Sequence, residues 1–329
     1  MDITCVVDAR AELGEGTIWD PAAGVLWWID IWGRLIHRYD QATGVDDTWE
    51  APEYLGCIGL RAKGGLVLTM VSGFYFFDPA TGTFTPIVDP EAHMPKTRFN
   101  DGKPDRQGRF WSGSMFEVPG QPVEFIASLY RMDQDLSVHR MIEGIGCCNG
   151  LAWSPDSRTM YFSDSHTPII RAYDFDPATG DIENQRVFVE LEGKDICDGS
   201  TVDAEGCYWA TIPFTGRVHR YDPAGKLMQT IHMPTDLPTC CEFGGPNLDI
   251  LYVTTAVLKR PEAHFTGQSN AGGLFALDVG VRGLPLPAFG GLTSRGRTCT
   301  PKPSSAGLPK AAAAEELAGR RQGLPGVSS

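Results

Sequence analysis

Three oxygen-bearing side chains occur in this sequence directly before a glycine and close to an apolar run. They are Glu15 in "LGEGTIW", Asn149 in "CCNGLAW" and Asp198 in "ICDGSTV". Two carboxylates and an amide oxygen are hard donors, the type that Ca²⁺, Mg²⁺ and Mn²⁺ prefer. A cation held by so few protein ligands keeps open positions for water and a substrate. The three residues therefore form one candidate site for a divalent cation.

A purely structural explanation also exists for two of them. Asn-Gly and Asp-Gly are common turn dipeptides, so Asn149 and Asp198 are also typical of tight turns. Glu15 is harder to explain in this way, because glutamate is not a favoured turn residue and here stands between two glycines. The residues alone leave both interpretations open.

Residues so far apart in the chain need a fold that brings them together, and the sequence repeats in a way that predicts one. A first unit, loosely Asp-x-x-Gly-x-aromatic, begins at Asp20, Arg61, Asp105, Asp156, Asp203 and Asn247. A second unit alternates polar and apolar residues and ends at Asp40, Asp78, Asp133, Asp174, Asp222 and Asp278. Both units read as short strands bounded by turns, and no sustained helical period appears.

Six copies of this pattern predict an all-β fold, a six-bladed β-propeller with a central channel. Loops from every blade gather at one end of such a channel, so the three donors can meet there. We expect the N-terminal "ITCVVDA" to pair with the last blade, because this closes the ring and removes an open sheet edge. The recurring tryptophans are expected to pack between blades.

Two segments of different composition are expected. Residues 1–289 are predicted to form the propeller, and residues 290–329 a low-complexity, disordered tail rich in Gly, Pro, Ser and Ala. The net charge of −13 argues against nucleic-acid partners and anionic membranes. The sequence shows neither a secretory signal nor an apolar run of about 20 residues, so we expect a cytoplasmic protein without membrane partners.

The cysteines agree with a reducing compartment. The chain has nine, an odd number without paired C-x-x-C spacing, and we interpret most of them as reduced and buried. We expect a monomer or a weak homo-oligomer.

Five stretches, in order over residues 10–280, resemble the SMP-30/gluconolactonase/regucalcin-like family of six-bladed propellers. They are "LGEGTIWDPAAGVLWWIDI", "RFNDGKPDRQGRFWSGSM", "CNGLAWSPDSRTMYFSDS", "DGSTVDAEGCYWATIPFTGRVHRYDPAG" and "FGGPNLDILYVTTA". The resemblance implies one channel cation with Glu15, Asn149 and Asp198 as its ligands. Its identity stays open among Ca²⁺, Zn²⁺, Mn²⁺, Mg²⁺ and Fe²⁺.

The resemblance also implies residues for the substrate. Arg98 and Asn100 in "RFNDGK" would bind substrate oxygens, and Asp101 would support the water shell of the metal. Glu117, which follows "GSM", is a further candidate for holding sugar hydroxyls.

The sequence departs from the family pattern near the expected site. Cys197 replaces a common proline before the metal-binding aspartate, and Ser200 replaces an apolar residue. The pair Cys147-Cys148 places thiols next to Asn149, and a thiol ligand would favour a softer ion such as Fe²⁺ or Zn²⁺.

Together these features predict a metal-dependent hydrolase that opens sugar lactones, aldono-1,4- or 1,5-lactones, to aldonic acids. Asp198 would act as both metal ligand and catalytic base, and the partner would be a small-molecule sugar lactone. The alternatives are a regulatory cation-binding protein without a reaction and a hydrolase similar to paraoxonase or phosphotriesterase.

Overall fold

The structure, a computed structural model, describes residues 2–290. The predicted tail therefore lies, from residue 291 onward, outside the described residues. The described chain holds 24 β-strands and one short 3₁₀ helix, Glu262–Phe265. No helix among these residues has the length and apolar character needed to cross a bilayer.

After the first strand, the chain builds one four-stranded blade after another. β1 (Ile3–Val7) is followed by blade 1, which consists of β2 (Gly14–Asp20), β3 (Val25–Asp30), β4 (Leu35–Asp40) and β5 (Asp46–Glu50). Blade 2 consists of β6 (Leu55–Leu60), β7 (Leu66–Met70), β8 (Gly73–Asp78) and β9 (Thr83–Val88). Blade 3 consists of β10 (Thr97–Pro104), β11 (Phe110–Phe116), β12 (Ala127–Met132) and β13 (Val138–Ile145). Blade 4 consists of β14 (Cys148–Trp153), β15 (Thr159–Asp164), β16 (Ile169–Phe175) and β17 (Ile182–Glu190). Blade 5 consists of β18 (Ser200–Val202), β19 (Tyr208–Ile212), β20 (Arg217–Tyr221) and β21 (Leu227–His232). Blade 6 consists of β22 (Pro238–Gly244), β23 (Ile250–Thr255) and β24 (Leu274–Asp278).

The six blades form a closed ring. The first strand of each blade is the innermost one, and each inner strand contacts the next, with β22 returning to β2. In the sixth blade β1 supplies the missing outer strand, antiparallel to β24, with Ile3 opposite Leu277 and Thr4 opposite Ala276. The predicted six-bladed propeller and its closure by the N-terminal strand are both confirmed.

The two sequence repeats correspond to the second and third strand of each blade. In two copies of the first unit the aspartate fixes the turn and reaches the tryptophan six positions on. Asp105 accepts a hydrogen bond from Trp111 Nε1 at 2.9 Å, and Asp203 accepts one from Trp209 Nε1 at 2.9 Å. Because both carboxylates are buried, they need these donors, and the spacing of the motif follows from that need.

The core lies between blades, where large aromatic side chains meet. Trp111 of blade 3 contacts Trp153 of blade 4, with ring centroids 5.8 Å apart. Trp19 of blade 1 stacks on Tyr252 of blade 6 at 6.1 Å. The expected packing role of the tryptophans is confirmed. The cysteines at positions 2–290 are all free, and all but Cys5 are buried.

The segment after β24 crosses the molecule at the carboxyl ends of the inner strands. The Arg282 carbonyl accepts a hydrogen bond from Ala204 N–H at 2.8 Å, and Phe289 N–H donates to the Leu60 carbonyl at 2.7 Å. This crossing ties blades 5 and 2 together. It leaves the amino ends of the inner strands as the other end of the channel.

Candidate functional site

The predicted site residues other than Glu117 lie in the first part of an inner strand or just before it. Glu117 directly follows β11, the strand next to the inner strand of blade 3. Glu15 and Asn149 are the second residues of β2 and β14, and Asp198 lies two residues before β18. Asn100 and Asp101 lie on β10. Because inner strands of successive blades run in the same sense, these residues share one end of the channel.

A β-bulge explains why glutamate and asparagine are each followed by glycine. The pairing register shifts between Glu15 and Ile18, and again between Asn149 and Ala152. The next residue in each case, Gly16 or Gly150, has φ of +60° or +71°. Glycine adopts this conformation without steric cost, and a bulge re-aims the side chain beside it. The turn-like Asn149-Gly150 thus lies inside a strand rather than in a hairpin turn.

The orientation of the Asn149 amide follows from its neighbours. The hydroxyl of Ser165 donates its single hydrogen to the Cys197 carbonyl at 2.8 Å. It must therefore accept from Asn149 Nδ2, which lies 2.8 Å away. This places Oδ1 on the other side, where Asn100 Nδ2 donates to it at 3.2 Å. An amide oxygen is thus available on the side of the site residues.

Three carboxylates lie within electrostatic reach of one another. Burial, followed by the charges of Asp198 and Asp101, raises the pKa of Glu15 well above its usual range. Burial and Asp101 likewise raise the pKa of Asp198, although the Gly199 N–H opposes this. The charge of Arg98 also lowers the pKa of Glu15, but its effect is smaller than those of burial and the acids. Protein cations therefore leave the negative charge at this end of the channel undercompensated.

The donor atoms of Glu15, Asn149 and Asp198 are oxygens of the kind that a hard divalent cation prefers. Glu15 and Asp198 bring undercompensated carboxylates, and Asn149 brings an oriented amide oxygen. Residues 2–290 contain no group of three or more His, Cys, Asp and Glu side chains arranged to hold a metal. Any site here consequently depends on the asparagine as its third donor.

Asp101 lies among the acids, and backbone N–H groups hold its carboxylate. Its Oδ1 accepts from Gly102 N–H at 2.7 Å and its Oδ2 from Leu151 N–H at 3.4 Å. Burial raises its pKa, and the nearby charge of Lys103 lowers it. Asp101 thus lies close to the acids but is held by the backbone of its own and the next blade.

The residues expected to contact a substrate form one hydrogen-bonded row. Arg98 Nε donates to Glu117 Oε2 at 2.7 Å, and Arg98 Nη1 donates to Asn100 Oδ1 at 3.1 Å. Asn100 in turn donates to Asn149 Oδ1, as described above. The structure thus brings Glu117 into contact with Arg98, and the row ends at the candidate metal donors.

The two adjacent thiols point to different surroundings. Cys147 Sγ lies 3.6 Å from Asn100 Nδ2 and 3.9 Å from Met115 Sδ, beside the donors. Cys148 Sγ instead packs against the backbone, 3.9 Å from the Asp101 carbonyl. Of the pair, Cys147 is the thiol that borders the site.

Sequence reasoning missed a buried network just below the acids. Lys103 Nζ lies 3.3 Å from Glu242 Oε2, and Thr201 Oγ1 donates to Glu242 Oε1 at 2.7 Å. Burial lowers the pKa of Lys103, but Glu242 and other neighbouring groups outweigh this and raise it above its usual range. Lys103 stands within the quoted "RFNDGKPD", yet its type alone does not distinguish it from a surface lysine.

A second missed element joins the backbones beside two of the donors. Thr239 Oγ1 donates to the Gly14 carbonyl, next to Glu15. The Thr239 carbonyl accepts from Gly199 N–H, next to Asp198, at 2.7 Å. One threonine of β22 therefore fixes the blade 1 and blade 5 donors relative to each other.

Comparison with known proteins agrees with this architecture. Residues 13–257 match the family described as the SMP-30/Gluconolactonase/LRE-like region. The chain is 34% identical to regucalcin of Danio rerio over 88% of this chain and 98% of that one. It is also 34% identical to 6-deoxy-6-sulfogluconolactonase of Pseudomonas putida, over 88% of this chain and 99% of that one.

A solved structure shows the same fold. The crystal structure of regucalcin from Agrobacterium tumefaciens, a calcium-binding protein, superposes with a TM-score of 0.82 at 28% identity, covering 87% of this chain and 96% of that one. Sequence, fold and relatives agree, and the chain belongs to the SMP-30/gluconolactonase/LRE-like family.

Proposed function

We propose that this protein is a metal-dependent hydrolase that opens sugar lactones to aldonic acids. One observation carries the proposal. Glu15 and Asp198 lie close enough for their charges to interact, and the Asn149 amide is linked through Ser165 to the residue before Asp198, next to a row of polar side chains suited to a polyhydroxylated substrate. The relative named as a sulfogluconolactonase supports this substrate class.

Glu15, Asn149 and Asp198 would hold one divalent cation. When bound, the ion supplies Lewis acidity, which polarises the lactone carbonyl and stabilises the negative charge that develops on its oxygen. Cys147 lies beside the donors, and this position supports including Fe²⁺ and Zn²⁺ with Ca²⁺, Mn²⁺ and Mg²⁺ as candidates.

Asp198 would move the proton. Its carboxylate accepts a proton from the water that attacks the lactone carbonyl carbon, and it returns that proton to the ring oxygen as the acyl C–O bond breaks. The product acid then ionises and releases one proton to the medium.

Arg98, Asn100 and Glu117 would orient the sugar. The hydrogen bonds of Arg98 to Glu117 and Asn100 fix the guanidinium plane, so its remaining N–H groups can meet substrate oxygens without reordering. Preorganisation of this kind lowers the barrier through positioning rather than through bond-making.

The proposal is tested with a panel of aldonolactones in a pH-drop assay, on protein stripped of metal and reloaded with Ca²⁺, Mn²⁺, Zn²⁺, Fe²⁺ or Mg²⁺. We expect turnover of at least one lactone by the reloaded protein and loss of turnover after stripping. Glu15→Gln and Asp198→Ala should each lower kcat by about 100-fold or more. Glu183→Gln on the exposed outer strand β17 is the control and should leave kcat unchanged.

Full turnover by metal-free protein would contradict the proposal, as would an active Asp198→Ala variant. A second candidate, a cation-binding protein without a reaction, is favoured by the likeness to regucalcin described as calcium-binding. Cation binding without hydrolysis of any lactone in the panel would select it.

We also propose that residues 1–289 form the lactonase domain and that the protein works as a monomer or weak homo-oligomer. The free thiols support a cytoplasmic location, because a reducing compartment keeps buried cysteines unpaired.

A further inference from the structure

We infer that Asp30 and Asp164 are positioning residues that hold Glu15 and Asn149 in place for the cation. The inference rests on the proposed function, because it concerns the same cation site. Neither aspartate belongs to the donor set, and each acts through backbone hydrogen bonds.

Asp30, the last residue of β3, holds the chain that leads into Glu15. Its Oδ2 accepts from Glu12 N–H at 2.8 Å, and its Oδ1 accepts from Leu13 N–H at 2.9 Å. A third donor, Gly33 N–H, reaches Oδ1 at 2.9 Å. One buried carboxylate therefore joins the entry to β2 with the turn after β3.

Asp164, the last residue of β15, does the same for Asn149. Its Oδ2 accepts from Gly146 N–H at 2.9 Å, and its Oδ1 accepts from Cys147 N–H at 3.0 Å. The third donor is His166 N–H, at 3.0 Å from Oδ1. His166 follows Ser165, whose hydroxyl orients the Asn149 amide.

The two arrangements occupy the same register. Asp30 pairs with Gly14 and Asp164 pairs with Cys148, and in each case the donor to the cation is the next residue. Blades 1 and 4 face each other across a six-membered ring. The last residue of the second strand in the other blades is Met70, Phe116, Ile212 or Thr255. Blades 1 and 4 carry the aspartate at this point, whereas blade 5, whose donor Asp198 precedes β18, carries Ile212.

A carboxylate is required because all three partners donate. Two carboxylate oxygens accept three N–H groups, whereas an amide of the same shape offers one oxygen and turns an NH₂ group toward a donor. The restraint matters because Gly16 and Gly150 follow the cation donors, and glycine does not fix the backbone by itself. Each aspartate restrains the backbone just before the cation donor, whereas the glycine just after the donor leaves the backbone free.

Isothermal titration with Ca²⁺ alone, together with thermal unfolding, tests the inference on the full chain. Asp30→Asn and Asp164→Asn should each weaken Ca²⁺ binding by roughly 10-fold or more, as loss of a supporting residue does at metal sites. Asp203→Asn is the matched control. Asp203 is also buried and accepts backbone N–H groups, from Glu205 and Cys207, but at the other end of the blade. It should lower Tm and leave the Ca²⁺ affinity unchanged.

Equal Ca²⁺ affinity in the wild type and in both variants would overturn the inference, as would equal weakening in Asp203→Asn. Where the asparagine variants fail to fold, Gly33→Ala decides by the same criterion, because its Cβ would lie 2.3 Å from Asp30 Oδ2 and displace the carboxylate. A wild-type chain that binds no divalent cation overturns the proposed function itself. Binding without lactone turnover leaves this inference standing and removes only the reaction.

Discussion

At the scale of single residues, the glycine after each donor shows how local geometry creates a site. Gly16 and Gly150 adopt positive φ at a register shift, so the side chain before each glycine leaves the regular alternation of the strand. Glutamate is not a favoured turn residue, so its position between two glycines marked Glu15 as a candidate cation ligand from the sequence alone. Asn149 and Asp198 look like turn residues, and only the fold shows that Asn149 belongs to a bulged strand.

His219 on β20 provides a residue-level prediction for stability. Burial, reinforced by Arg217, lowers the pKa of His219 to about 4, and its Nδ1 lies 2.8 Å from Tyr221 Oη. An unfolded histidine titrates near pH ~6.5. The neutral folded form is therefore fully stabilising above that pH, and the contribution is lost as the pH falls from about 6.5 to about 4, by up to ~3 kcal/mol.

Urea unfolding at pH 7, 6 and 5 measures this effect. The free energy of unfolding of the wild type should fall more steeply than that of His219→Phe, by up to about 1.4 kcal/mol per pH unit. An equal slope in both proteins would show that His219 is not buried neutral.

The residues that escaped sequence reasoning share one physical trait. Asp30, Asp164 and Thr239 contact backbone atoms, and every residue type supplies a backbone carbonyl and every type except proline a backbone N–H. Their partners are therefore invisible in the sequence. Aligning the repeats on their second strands would have found the two aspartates, because "WIDI" and "FSDS" end at the same point of their blades.

At the scale of elements, the N-terminal strand is the part whose loss should be most informative. β1 covers the free edge of β24, and Ile3 and Cys5 pack against the core between blades 5 and 6. The alternation in "ITCVV" sufficed to predict the strand, and the need to close a ring predicted its partner. The path of residues 281–290, which follow β24 and cross the molecule, was not predicted, because "VRGLPLPAFG" lacks the alternation of a strand.

Deletion of residues 1–8 should therefore open the ring. We expect a loss of about 3–5 kcal/mol from the partly buried Ile and Val side chains and the lost strand pairing, with a lower Tm and aggregation at the exposed edge. Calorimetry and light scattering measure both. A synthetic peptide of residues 1–8 should raise the Tm again, whereas a scrambled peptide should not; an unchanged Tm after deletion would show that closure does not depend on β1.

At the scale of the whole molecule, the propeller gathers donors from blades that are remote in the chain. Glu15 belongs to blade 1, Asn149 to blade 4, and Asp198 precedes the inner strand of blade 5. No pair of these residues is close in sequence, so only the count and order of the repeats could predict that they meet. The acidic end of the channel is thus a property of the closed ring, and a cation there would link three blades.

The most direct test of the account is the position of the ion. Crystals of the wild-type protein soaked with Mn²⁺ should show one anomalous peak in the channel, about 2.0–2.6 Å from carboxylate oxygens of Glu15 and Asp198 and from Asn149 Oδ1. The peak should vanish in Glu15→Gln. An ion bound elsewhere, or a channel without a peak while the three side chains are ordered, would contradict the central claim.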